Sequence, residues 1–349
     1  MTEAVALSNR LREMGFCSWY AEVAADAYRT DPWSAFATVS KQTPSAPTSL
    51  RTILDLLVLG HSVALSKIEM VLGEAVTAWM QREGLLRQCA NGLCRSNFCL
   101  TVAFDEVLFT DWPVETPSQR LTSQRTYLST TSFDCVRFVC ESKRVRRALD
   151  LGCGTGLVAI KLAHVSDQIV AVDIDKHACW LTRLNCALAA ANVTIAERDW
   201  RCLPCNGDFD LIVANPPWRI VPPSIVYPDP LARVGAGADG LGHVLDVLRI
   251  MPGLLSKGGK AAIRFDLPVD MFGECTFDFR PSAVLGEKFE YWMEELKIIS
   301  VDDQARISAD TCASQNAEIK DLQRLFLDHY KSLGIHFLRQ VMCVVRRIG

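Results

Sequence analysis

Asp150-Leu151-Gly152-Cys153-Gly154-Thr155-Gly156 is the stretch on which the fold turns. It ends a strand-like apolar run at 148–151 and opens a helix-like stretch at 158–164. Glycines there make a tight strand-to-helix turn and let the backbone approach a ligand closely. They fall as GxGxG with an acid two residues before the first, not as the GxGxxG that cradles a pyrophosphate. A pyrophosphate wants a helix N-terminus free of carboxylate; a cationic ligand without phosphate tolerates Asp150 nearby. Hydride transfer with a nicotinamide is disfavoured on that spacing.

The flanking pattern agrees. Strand-like runs at 169–172, 193–197, 211–214 and 260–265 alternate with helical stretches at 176–191 and 244–255. Such alternation means a parallel sheet with helices on both faces. Val172-Asp173-Ile174-Asp175 closes the second strand, where a carboxylate can accept both hydroxyls of a ribose. Arg198-Asp199-Trp200 closes the third, where a carboxylate and a backbone N–H can read an adenine. The tail reads as a helix at 289–296, a strand at 297–301, a polar loop at 302–314, a helix at 319–330 and a long final strand at 335–347.

The fourth strand runs into Asn215-Pro216-Pro217-Trp218, the most function-specific segment. A planar nitrogen is a poor nucleophile because its lone pair is delocalised. A site that alkylates one must hold its N–H groups with acceptors and aim the lone pair. Asn215 offers a side-chain carbonyl, and the backbone carbonyls of Asn215 and Pro216 add more. Paired prolines stiffen the loop and set those oxygens in advance. Trp218 supplies a flat face for a planar group or a cation.

Together these motifs resemble those of the class I S-adenosylmethionine-dependent methyltransferases, over roughly residues 125–265. The resemblance implies a Rossmann-like α/β fold, a seven-stranded sheet with S-adenosyl-L-methionine over the carboxyl ends of its first strands and S-adenosyl-L-homocysteine as product. It implies that Gly152, Gly154 and Gly156 shape the methionine side, that Asp173 binds the ribose and Asp199 with Trp200 the adenine, and that Asp150 and Ile174 also belong to the cofactor site. Asn215, Pro216, Pro217 and Trp218 would form the catalytic ledge, with Asn215 touching both ligands. The tetrapeptide is similar to that of enzymes that methylate planar nitrogen. Among them the chain most resembles the release-factor glutamine N-methyltransferase group with a winged-helix-like N-terminus, which Asp239-Gly240-Leu241 and Lys257-Gly258-Gly259 also fit. That group usually carries Tyr where this chain has Trp218.

The first hundred residues read as mainly helical, with helices at 4–14, 18–28, 50–59, 64–72 and 74–83. A strand at 85–87, a turn at Asn91-Gly92 and a second strand at 98–104 complete a winged-helix-like pattern. The chain thus divides into a helical domain at 1–105, a connector at 106–145 and a catalytic domain at 146–349. Residues 1–100 hold nine Lys/Arg and nine Asp/Glu, and the 349-residue chain has a net charge of −3. Neither provides the positive field that phosphates need, so nucleic acid is disfavoured as partner. The basic run Lys143, Arg144, Arg146 and Arg147 reads as a solvated element end.

No apolar run reaches the roughly 18 residues of a membrane span, and no secretion signal is read. The 14 cysteines then read as reduced thiols of a cytoplasmic protein. Cys202 and Cys205 lack a second pair, and Cys89, Cys94 and Cys99 lack a histidine, so no metal site is expected. Tyr127, Phe133 and Tyr227 are candidate walls for the acceptor. The reading is an S-adenosylmethionine-dependent N-methyltransferase of a small molecule or a protein side-chain amide. Methylation of an RNA or DNA base and a non-catalytic binding module are the alternatives.

Overall fold

The computed structural model describes residues 2–24, 32–112, 126, 128–225, 239–312 and 319–349. Its centre is a seven-stranded sheet of β6 (Val145–Leu151), β7 (Ser166–Asp173), β8 (Thr194–Glu197), β9 (Phe209–Ala214), β10 (Leu255–Val269), β11 (Phe289–Ser300) and β12 (Phe337–Arg347). The spatial order is β8-β7-β6-β9-β10-β12-β11. The four pairs from β8 to β10 are parallel, and β12 runs against both its neighbours. The chain leaves β6 in one direction for β7 and β8, then crosses back to β9. The sheet's carboxyl end at β6 and β9 is therefore a topological switch point, where α/β folds open a crevice.

Apolar side chains account for the layers. Helix α10 (Gly242–Leu254) buries Val244, Val247, Leu248 and Met251 on one face of the sheet, at helical spacing. Helices α7 (Thr130–Cys140) and α8 (Leu157–Val165) bury Phe133, Val136, Val139, Ile160 and Leu162 on the other. Helix α9 (Lys176–Leu188) works twice. Cys186 faces the sheet side, while Leu181, Leu184 and Leu188 join the N-terminal core. Each such leucine contributes about 2 kcal/mol by burial.

That core comprises α1 (Thr2–Glu13), α2 (Phe16–Ala24), α3 (Pro32–Gln42), α4 (Thr48–Ile53, continued by a π turn to Val58), α5 (Leu65–Leu72) and α6 (Glu74–Arg82). It also holds the strands β1 (Val63–Ala64), β2 (Leu86–Gln88) and β3 (Leu93–Ser96), in the order β1-β3-β2. From α4 onward the succession helix, strand, helix, helix, strand, strand is that of a winged helix.

Three segments differ from the sequence reading. The hairpin partner expected at 98–104 is β3, because Asn91 (φ 60°) and Gly92 (φ 70°) reverse the chain at once. Residues in β4 (Cys99–Ala103) pair instead with β5 (Glu106–Thr110) across Phe104 (φ 50°) and Asp105 (φ 64°). Two positive φ values make that a type I′ hairpin turn, built on residues that seldom signal one. So the stretch at 106–145 contains β5 and α7. The helix expected at 289–296 is part of the edge strand β11, paired along its length with β12. Here tertiary pairing overrides the helix-forming Met293, Glu294 and Glu295.

Beyond the short helix α11 (Pro281–Leu285), the polar loop expected at 302–314 contains helix α12 (Val301–Cys312). Ser300 Oγ accepts from the Asp303 N–H at 3.1 Å, an N-terminal cap, and the buried face is Val301, Gln304, Ala305, Ser308 and Ala309. Small and polar residues make a packing stripe that a hydrophobicity pattern does not register. The helix α13 (Ile319–Ser332) lies as expected. Arg144 pairs with Asp167 and Arg147 with Asp208, at the amino end of the sheet.

The two halves are fastened by Asn185 on α9. Its Oδ1 accepts the Phe109 N–H at 2.8 Å, and its Nδ2 donates to the carbonyls of Phe109 (2.9 Å) and Thr155 (2.8 Å). The residue is fully buried. Asn185→Ala strands these backbone groups without water and should cost about 2–3 kcal/mol in urea denaturation. A loss below about 0.5 kcal/mol would mean that the fastening is dispensable.

Candidate functional site

The glycine turn is clasped from three sides. Gly152 N–H and Cys153 N–H both donate to the Val172 carbonyl, at 2.8 and 3.1 Å, drawing the loop onto the end of β7. Gly154 N–H donates to Asp173 Oδ2 at 3.1 Å. Asp175 N–H donates to Asp173 Oδ1 at 2.9 Å. A carboxylate has about four acceptor positions, and these two backbone donors fix its plane. Gly156 has φ 81°, and a Cβ there would meet Thr182 at 2.9 Å, so a side chain is excluded by conformation and by space.

Asp150 sits beneath this turn, 3% exposed. Its Oδ2 is buried with no hydrogen-bond partner. Burial, and then the charge of Asp173, push its carboxyl up to about 7. Ile174, directly after Asp173, is 68% exposed. A Cβ on Gly152 would lie 3.8 Å from the Trp200 ring, whose indole N–H is buried without a partner. Asp199 caps the following turn and grips the Arg201 guanidinium at 2.7–3.0 Å, which lowers its pKa. Its carboxylate thus faces a cation of its own chain.

The β9 end lies directly opposite. The Asn215 carbonyl oxygen is 4.0 Å from where a Gly152 Cβ would be. Asn215 Nδ2 donates to Thr131 Oγ1 at 2.9 Å, in the first turn of α7. That bond orients the amide. Pro216 is buried, while Pro217 and Trp218 are half-buried, with Trp218 against the cluster of Leu241 and Val244. Phe133 requires a correction. It is 2% exposed and packs edge-on against Phe104 at 5.3 Å, so it belongs to the core and not to an acceptor wall. Tyr127 and Tyr227 lie outside the described residues.

Several residues escaped the sequence reading. Thr131 is one. Arg264 and Asp266 on β10 are others, although two charges inside the apolar run 261–269 were a readable signal. Ile263 pairs with Ala214, so the next positions, Arg264 and Asn215, share the face covered by α7. Arg264 is fully buried and binds Asp134 Oδ2 of α7 at 2.8 Å and Asp266 Oδ1 at 2.7 Å. The pair His177 and Asp111, at 2.9 Å, ties α9 to the chain beyond β5. Asp111 also accepts from the Thr126 N–H, and the Thr126 methyl lies 3.9 Å from the Gly154 Cβ position.

Residues 136–222 match the methyltransferase small domain. This segment contains the glycine turn, Asp173 and the Asn215 ledge. The chain is 36% identical over 126 residues to the ribosomal protein uL3 glutamine methyltransferase of Xanthomonas campestris pv. campestris, covering 34% of this chain and 41% of that protein. It is 35% identical over 127 residues to the tRNA1(Val) (adenine(37)-N6)-methyltransferase of Parabacteroides distasonis, covering 35% of this chain and 52% of that one. The chain thus spans about half the length, or less, of these relatives. Among solved structures, the YcgJ protein of Bacillus subtilis superposes with TM-score 0.40 and 13% identity over 62% of this chain and 97% of that one.

The residues present fit S-adenosylmethionine. The turn offers backbone where a side chain would intrude. Asp150 Oδ2 and the Trp200 indole N–H are buried polar atoms lacking protein partners, an acceptor suited to a cation and a donor suited to a ring nitrogen. Among the described residues no cluster of His, Cys, Asp and Glu is arranged to hold a metal, and no helix is long and apolar enough to cross a membrane.

Because the folded carboxyl of Asp150 titrates near 7 and an unfolded aspartate near 3.9, the ligand-free fold binds this proton more tightly than the unfolded chain. Its contribution therefore weakens stability as pH rises from about 4 to 7. Asp150→Asn removes that loss. The variant should gain stability over wild type from pH 5 to pH 8 in urea denaturation, and an offset independent of pH would refute the buried, proton-holding carboxyl.

Proposed function

We propose that this protein is an S-adenosylmethionine-dependent methyltransferase whose acceptor is a planar nitrogen, with a protein side-chain amide as the preferred class. One observation carries the reading: the Asn215 amide is anchored through its nitrogen to Thr131, while its backbone carbonyl lies against the glycine turn. The cosubstrate, when bound, supplies an electrophilic methyl on a sulfonium. The chain's own residues then have a limited task. Asp173 orients hydroxyls, Asp150 faces positive charge, and the Asn215 and Pro216 carbonyls hold acceptor N–H groups so that the lone pair points into the cleft. The departing thioether is neutral, so positioning and water exclusion outweigh acid–base help.

The name of the uL3 relative supports a glutamine side chain as acceptor, and that of the tRNA relative supports an adenine amino group. Both nitrogens are planar. The even charge balance of residues 1–100 favours the amide, because a nucleic acid must be held by its phosphates.

Incubating the protein with methyl-labelled S-adenosylmethionine and a cell extract should place label in the protein fraction. Label in RNA would overturn the acceptor class, and no transfer at all would overturn the activity. Asp173→Ala should weaken cofactor binding about tenfold or more. Asn215→Ala should lower turnover about 100-fold with cofactor affinity kept, and Thr131→Val should do the same to a smaller degree. Unchanged turnover in Asn215→Ala would remove it from the acceptor site.

A further inference from the structure

Arg219 lies four residues beyond Asn215 and is only 9% exposed. Its Nε and Nη1 are buried without a hydrogen-bond partner. Its guanidinium carbon is 6.0 Å from the centroid of the Trp218 ring, so the charge sits at the acceptor ledge. Asp266, on the neighbouring strand, gives one oxygen to Arg264 and keeps the other buried and unbonded. Burial pushes that carboxyl's pKa up, against the nearby charges of Arg264 and then Arg219. The charge of Arg219 therefore acts on Asp266, with no hydrogen bond between the two.

A guanidinium out of water with unmade bonds is costly, since the desolvation is uncompensated. Surface packing does not explain it, because a long side chain can normally reach solvent with its head. The expense is recovered when a ligand brings the missing oxygens. Arginine suits this role because it stays charged when buried and presents several donors in fixed directions. Asp266, which feels the charge of Arg219, is tied to Arg264, and Arg264 in turn fixes the Asp134 end of α7, the helix that carries Thr131.

We propose that Arg219 is an oxyanion subsite of the acceptor pocket, so that the acceptor carries a carboxylate or phosphate group which bonds Arg219 while its nitrogen lies against Asn215. This deepens the reading above and rests on it for the nitrogen, but not for the anion. The subsite selects among planar-nitrogen acceptors: a bare amide lacks the second anchor, and an amide with an acidic group beside it has both. Arg219 is thus a specificity residue, acting on acceptor affinity more than on the methyl-transfer step.

The test uses the full chain and calorimetric titration. S-adenosyl-L-homocysteine is titrated first; its failure to bind would sink the methyltransferase reading and leave the anion question standing. Inorganic phosphate is then titrated into the protein alone. N-acetylglutamine, which has a carboxylate, and N-acetylglutamine amide, which has none, follow with the product present. Wild type should bind phosphate or prefer the acid over the amide by about tenfold or more, as expected for a charge-assisted hydrogen bond. Phosphate binding with no acid preference assigns the group to phosphate, and the reverse assigns it to carboxylate. Arg219→Met should abolish whichever signal wild type gives, with product affinity intact as proof of folding, and Arg219→Lys should keep a weakened signal. Overturning results are a wild type that binds neither phosphate nor the acid preferentially, or a signal that survives Arg219→Met.

Discussion

The β6 strand must turn into α8 over Gly152, Gly154 and Gly156 while staying in contact with the end of β7, and this constraint organises everything around it. Two N–H groups of the turn share the Val172 carbonyl, and a third goes to Asp173. The loop is therefore built by the neighbouring strand as much as by its own residues. Because β7 ends where the turn needs an acceptor, Asp173 is held in one plane at the cleft. Because Gly156 lacks a side chain, α9 can approach, and Thr182 closes on the Gly154 carbonyl at 2.9 Å. That approach in turn brings Asn185 to Phe109 and fastens the N-terminal half.

Two consequences meet at the cleft. The N-terminal half is joined to the cofactor side by polar bonds that leave no buried group unmet at Asn185 and by leucines of α9. The side of the sheet around Asn215 is arranged differently. There the sheet carries buried charge, with Arg264 and Asp266 on β10 at the level of Asn215 and just beyond it. A core strand accepts such residues only with partners, and Asp134 supplies one. The network holds α7, and α7 holds the amide of Asn215. The same rigidity that orients the amide leaves the Nε and Nη1 of Arg219 and one oxygen of Asp266 without hydrogen bonds.

Much of this was legible in the residues. The GxGxG spacing, the acid after the second strand and the Asn-Pro-Pro-Trp ledge stand where local rules put them, because each is a turn at a strand end and turns are written locally. The parallel part of the sheet followed from the alternation of strand and helix, while its count of seven strands came from the resemblance. What was not legible depends on distant partners. The strand β11 has helix-forming residues and is a strand because β12 lies beside it. The helix α12 buries alanine, serine and glutamine, which a hydrophobic pattern cannot reveal. The Phe104-Asp105 turn has none of the usual glycine or asparagine. Phe133 was read as a pocket wall because aromatic residues serve both roles, and only its contact with Phe104 decides between them. Thr131 and Asn185 act through groups from 30 to 84 residues away, and Arg219 through buried nitrogens with no hydrogen-bond partner.

A co-crystal structure with S-adenosyl-L-homocysteine tests the central claim most directly. The account requires the ligand to lie across the tips of β6 and β7, its ribose on Asp173 and its sulfur in the gap between Gly152 and the Asn215 carbonyl. Ligand bound elsewhere, or a sulfur facing away from Asn215, would contradict it.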